Sequence, residues 1–164
     1  MKKRQLFYLV SILFIGMALT LSACKKDEED DPAPAPTPTP TVTQVVGTAQ
    51  FPAGTSGDLS NAKVSIYTSW DNWVSNQPIK FAACSGAGAS VSFIIPNVLP
   101  GNYYLDVWKD IDNSATWTSG DYVGWYGSGG LGSPSLTQFQ ITEGETFSAN
   151  VSMYIIAKGS NTPK

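Results

Sequence analysis

From Val42 onward the apolar residues recur at every second position in a series of short runs, and no stretch repeats them at the spacing of an amphipathic helix. Successive side chains of an extended strand point to opposite faces, whereas a helix repeats every 3.6 residues. The pattern therefore confines the chain to β-structure. Val45, Ala49 and Phe51 share one face. Val64, Ile66 and Thr68 are predicted to face one way, with Lys63, Ser65 and Tyr67 facing the other. The stretch from Trp70 to Cys84 is less regular and is predicted to hold one strand over 79–83. Val91, Phe93 and Ile95 alternate next, then Tyr103, Leu105 and Val107, then Phe139 and Ile141. Phe147, Ala149, Val151, Met153 and Ile155 give the cleanest alternation. Turn-forming breaks separate these runs, among them Pro52–Gly57, Gly86–Gly88, Leu99-Pro100-Gly101 and Glu143-Gly144. At Pro100-Gly101 the proline presets φ and the glycine is expected to take positive φ. About seven short strands with turns between them predict an all-β sandwich.

The segment before Val42 has a different character. Lys2, Lys3 and Arg4 precede an apolar run from Leu6 to Leu21. That run is short for a membrane span of roughly 20 residues but suits the apolar core of a secretory leader. Leu21-Ser22-Ala23-Cys24 closes it and resembles the cleavage and acylation box of bacterial lipoproteins. The resemblance implies cleavage after residue 23 and a lipid on Cys24. The acidic-basic run from Lys25 to Asp31 looks like the surface-export signal of some Gram-negative lipoproteins; a solvated spacer is the alternative. Pro32 to Thr41 alternates proline with alanine and threonine, which imposes an extended polyproline stalk with no packed core. The expected organisation is a leader at 1–23, a lipidated cysteine with its linker at 24–41, a β-domain at 42–158 and a disordered tail at 159–164.

Within the β-domain, Leu59-Ser-Asn-Ala62-Lys-Val64-Ser-Ile66 is similar to an early strand of carboxypeptidase-regulatory-like domains. Phe93 through Pro100-Gly101-Asn-Tyr103-Tyr-Leu105-Asp-Val107 resembles their proline-glycine hairpin. The resemblance spans Val42 to about Ala157 and implies a single seven-stranded Greek-key β-sandwich of transthyretin-like (prealbumin-like) type. It implies a fold and no one function.

Composition excludes several chemistries. The chain has no histidine, which removes Ser-His-Asp and Cys-His catalysis and makes a typical zinc site implausible. With Cys24 acylated, Cys84 has no disulfide partner and reads as a small apolar filler. The full chain carries a net charge of −3 with 10 basic and 13 acidic side chains. Removing Lys2, Lys3 and Arg4 leaves 7 basic side chains and a net charge of −6. An acidic domain without a basic stripe is no partner for nucleic acid. Gly127-Ser-Gly129-Gly-Leu-Gly132 matches a dinucleotide-loop spacing, but no helix or βαβ unit follows it, so the glycines read as loop turns.

The densest chemistry lies at Asp110-Ile-Asp112-Asn-Ser114-Ala-Thr116-Trp-Thr118-Ser-Gly-Asp121. Oxygen-bearing residues fall at the ligand positions of an EF-hand-type loop, which makes Asp110, Asp112, Ser114, Thr116 and Asp121 candidate calcium ligands. The loop departs from that pattern at Ala115, where glycine is usual, and at Asp121, where glutamate is usual. An Asx-turn-rich loop that satisfies its own backbone is the other reading. Trp117, Tyr122, Trp125 and Tyr126 follow in the same stretch. Exposed, they would stack sugar rings; otherwise they pack onto the edge of the sandwich. The expectation is a lipid-anchored, non-catalytic protein of the cell envelope, on the outer membrane, with the periplasmic and the outward-facing orientation both open. It would present a β-sandwich for binding or structure, with an envelope protein as partner. A carbohydrate-binding surface lipoprotein is the alternative, and calcium is the candidate cofactor.

Overall fold

The computed structural model describes residues 41–160 and Lys164. The predicted leader, Cys24 and nearly all of the predicted stalk lie outside the described residues. Among those described, ten strands and one short helix follow one another. They are β1 (Gln44–Gln50), β2 (Lys63–Tyr67), α1 (Trp70–Val74), β3 (Lys80–Ala83), β4 (Ser90–Pro96), β5 (Gly101–Lys109), β6 (Tyr122–Trp125), β7 (Gly127–Ser128), β8 (Ser135–Leu136), β9 (Phe139–Ile141) and β10 (Thr146–Ile155).

One sheet carries the fold, in the order β3-β2-β5-β6-β10-β1-β4, with β9 added to β5. β1 runs parallel to β10, and the remaining ladders are antiparallel. β10 pairs with β1 over its first seven residues and with β6 over its last four. The two ends of the sheet meet: Ser85, just after β3, and Ser92 of β4 exchange backbone hydrogen bonds of 2.7 and 2.9 Å. The sheet is thus nearly closed on itself. The expected all-β class is what the chain adopts, in a sandwich that is close to a barrel.

Alternate residues fill the inside as the sequence predicts. Val45 and Ala49, Val64 and Ile66, Val91, Phe93 and Ile95, Tyr103, Leu105 and Val107, and Ala149, Val151 and Met153 form one buried cluster. Each such aliphatic or aromatic side chain stabilises the fold by roughly 1.5–3 kcal/mol. Cys84 lies in this cluster, and burial pushes its thiol pKa up to about 11. A thiol held protonated is a poor nucleophile, in keeping with a filler role.

The outward face differs from the expectation. Ser65 and Tyr67 were predicted to face away from the core, yet both are buried. A second cluster of Tyr67, Trp73, Trp108, Trp117, Val123, Trp125 and Ile156 covers them. β5 is therefore buried on both faces: Leu105 and Val107 point inward, Asp106 and Trp108 outward. At the end of β10 the alternation slips. Ile155 is exposed, and Ile156 is the residue buried in the second cluster.

Four local elements were not predicted: α1, β6 and the short pair β7 and β8. α1 has only five residues, too few to display a helical period. The Ser69 side chain caps it by accepting the Asn72 N–H at 3.1 Å, and Trp73 anchors it by burial. β6, β7 and β8 fall between Val107 and Phe139, where the alternation predicts no strand. At Pro100-Gly101 the expected positive φ does not occur; the left-handed residue of that connection is Asn97, at φ 53°. Gly101 is instead a matter of space, since a β-carbon there would lie 3.0 Å from the Tyr103 hydroxyl. That hydroxyl donates to the Leu99 carbonyl at 2.8 Å and closes the turn.

The two faces of the sheet give a direct contrast. Leu105→Ala, at a fully buried position, is expected to cost about 2–5 kcal/mol in urea unfolding. Ile94→Ala, 57% exposed on β4, is expected to stay within about 0.5 kcal/mol of the parent. Equal effects would mean that the face assignment is wrong.

Candidate functional site

The acidic loop folds into a carboxylate knot. Asp110 accepts the Ser114 N–H at 3.1 Å and the Ala115 N–H at 2.9 Å. Asp112 accepts the same Ser114 N–H at 3.1 Å and the Thr118 hydroxyl at 3.0 Å. Asp121, fully buried, accepts the N–H groups of Ile111 at 2.9 Å and Thr118 at 3.0 Å, and the Trp108 indole N–H at 3.2 Å. Ser114 donates its hydroxyl to the Thr116 carbonyl at 2.9 Å. Asn113 and Ala115 both take left-handed backbone angles, φ 57° and 59°, which curl the loop around Asp110.

Of the five predicted calcium ligands, Asp110, Asp112 and Asp121 come together, with one oxygen from each within 4.8 Å of the others. Each of their six oxygens already accepts an internal hydrogen bond. An ionised carboxylate oxygen keeps a second lone pair, so a hard cation could still share it. Ser114 and Thr116 are engaged with each other.

The four predicted sugar-stacking aromatics do not form an exposed platform. Trp117 and Trp125 are buried in the outer cluster, stacked with centroids 6.4 Å apart, and Trp125 stacks on Tyr154 at 5.1 Å. Tyr122 meets Phe51 edge-on, and Tyr126 does the same with Phe139 and Phe147. Trp117 and Trp125 cover the outer face of the sheet, whereas Tyr122 and Tyr126 pack against the inner cluster.

A site the sequence did not reveal lies beneath that cover. Asp106 stands on the outward face of β5, opposite Ser65 of β2 and Trp125 of β6, and is 1% exposed. It accepts the Trp73 indole N–H at 3.0 Å, and the Tyr67 hydroxyl donates to it at 3.2 Å. The Lys164 ammonium donates to Asp106 Oδ2 at 2.6 Å and to the Tyr67 hydroxyl at 3.0 Å. The rings of Tyr67, Trp73 and Trp117 surround that ammonium, with centroids 4.5, 5.2 and 5.4 Å away. Three ring faces and a carboxylate make a cation receptor.

The electrostatics agree with the geometry. Burial, then the charge of Asp106, pushes the Tyr67 hydroxyl far above its ordinary pKa, so it stays a donor. Burial pulls the Lys164 ammonium below its ordinary value, and Asp106 opposes that pull. Removing one member of a buried pair strands the other and costs about 3–5 kcal/mol. Of these residues, only Trp117 was singled out from the sequence. The one local signal was an acid flanked by aromatics, Tyr104 to Trp108, on a strand whose other face carries Tyr103, Leu105 and Val107. Residues 159–164 were read as a tail, which gave no reason to place Lys164 in the receptor.

Comparison with family models, curated proteins and solved structures finds no match to this chain.

Two exposed carboxylates contribute to the acid response. Asp58 accepts from the Ser60 hydroxyl and the Gly88 and Ser60 N–H groups, with Lys109 3.6 Å away; these hold its pKa well below its ordinary 3.8. Hydrogen bonds from Ser114 and Thr118 lower that of Asp112 as well. A depressed folded-state value stabilises the fold above the unfolded value and is lost as pH falls below it. The Tm is therefore expected to drop as pH is lowered past about 4. The drop should be shallower in Asp58→Asn/Asp112→Asn, as read by circular dichroism.

Proposed function

We propose that this chain is a lipid-anchored, non-catalytic protein of the cell envelope, held at the outer membrane with its β-domain facing outward as a binding module. The observation that carries this reading is the order of its first 41 residues. A basic start, an apolar run, Leu21-Ser22-Ala23-Cys24, a charged run and a proline stalk succeed one another without a gap. A lipid on Cys24 would tether the domain. The ten residues from Pro32 to Thr41 would then stand it off by on the order of 30 Å. Among the described residues no helix is long and apolar enough to cross a membrane.

The domain itself favours recognition over reaction. Its most distinctive feature is the receptor at Asp106, whose carboxylate is surrounded by donors and aromatic faces. Cys24→Ala is expected to move the protein from the membrane fraction to the soluble fraction on cell fractionation. Retention in the membrane would contradict the anchor.

Calcium binding by the carboxylate knot is a second reading, favoured by the mutual approach of Asp110, Asp112 and Asp121. It predicts a rise in Tm in millimolar calcium by mass action. The rise should vanish in Asp112→Asn and on chelation. An identical melting curve in calcium and in chelator would leave the knot as a self-satisfied loop.

A further inference from the structure

The receptor at Asp106 and its occupant belong to different parts of the chain. Tyr67 ends β2, Trp73 lies on α1, Asp106 on β5, and Trp117 on the loop that the knot fastens to Trp108. These four are held by their own contacts: Trp73 meets Trp117 edge-on at 5.7 Å, Trp117 stacks on Trp125, and both Trp73 and Tyr67 donate to Asp106. Lys164 lies beyond β10 and places its ammonium in the cage. A cavity of about 160 Å³ lies directly beside it, lined by Val74, Asn76, Thr116 and Trp117. The Trp117 indole N–H is buried and has no hydrogen-bond partner among the described residues.

We infer that the cage of Tyr67, Trp73, Trp117 and Asp106 is a binding site for a primary alkylammonium, the group at the end of a lysine side chain, and that Lys164 occupies it in cis. The ligand class follows from the contacts. Two oxygens, Asp106 Oδ2 and the Tyr67 hydroxyl, lie within 3.0 Å of the nitrogen and require N–H donors. A quaternary ammonium has none, and its methyl groups would hold the nitrogen away from both oxygens. The three rings attract any cation, while the carboxylate selects a primary one. The inference goes beyond the envelope reading and does not depend on the lipid.

The test uses the full chain in mild detergent, with Lys164→Met, which keeps an apolar stem and removes the cation. In this variant the carboxylate of Asp106 has lost its counter-ion, and the Tm should fall. Butylammonium chloride should restore it in a saturable manner and change the tryptophan fluorescence. Tetramethylammonium should bind at least tenfold more weakly. The parent protein, its cage filled, should respond at least tenfold more weakly to butylammonium than the variant. In Lys164→Met/Asp106→Asn the response should disappear, with near-ultraviolet circular dichroism checking that the aromatic packing survives. A folded Lys164→Met protein with no saturable response would overturn the inference, as would equal binding of the two ammonium ions. Failure of both Lys164→Met and Lys164→Ala to fold would also overturn it, by making Lys164 a fixed part of the core.

Discussion

A single buried carboxylate governs the outer half of this domain. Asp106 lies on a central strand with an apolar inner face, and its outward side chain is closed off from water. An ionised carboxylate in such a place is costly unless it is hydrogen-bonded and paired. The fold meets that requirement with the Trp73 indole, the Tyr67 hydroxyl and the Lys164 ammonium. The short helix α1 makes sense in this light. Five residues do not form a stable helix alone, and α1 is held where it delivers Trp73 to Asp106.

The carboxylate knot serves the same region from the other side. Asp121 receives the Trp108 indole N–H together with two loop N–H groups. It therefore fastens the loop to the outward face of β5. Trp117, four residues before Asp121, is thereby laid over the ammonium and against Trp73 and Trp125. The left-handed Ala115 is the strained step that brings the loop back on itself. An ion bound among the three carboxylates would tighten the same fastening without changing its direction.

The inner core was legible from sequence because it depends on parity alone. Val64 and Ile66, Leu105 and Val107, and Val151 and Met153 each read correctly as inward-facing. The outer core was not legible, because Ser65 and Asp106 look like solvent-facing residues until something covers them. Their cover comes from α1, which shows no helical period in the sequence, and from the loop around Trp117 and Ile156, both distant in sequence from residue 65. The knot could be anticipated, since its ligand-like spacing lies within twelve consecutive residues. The cage could not, because residues 106, 117 and 164 lie far along the chain from residues 67 and 73.

The position of Lys164 is the most direct measure of this picture. Its ε-methylene protons, observed by NMR in isotope-labelled protein, lie next to three aromatic rings. They are expected to be shifted upfield from the values of exposed lysines, with the ammonium protons exchanging slowly enough to be seen and showing contacts to the Trp73 and Trp117 rings. Lys164 ε resonances at the position of an unfolded chain, with no such ring contacts, would contradict the account.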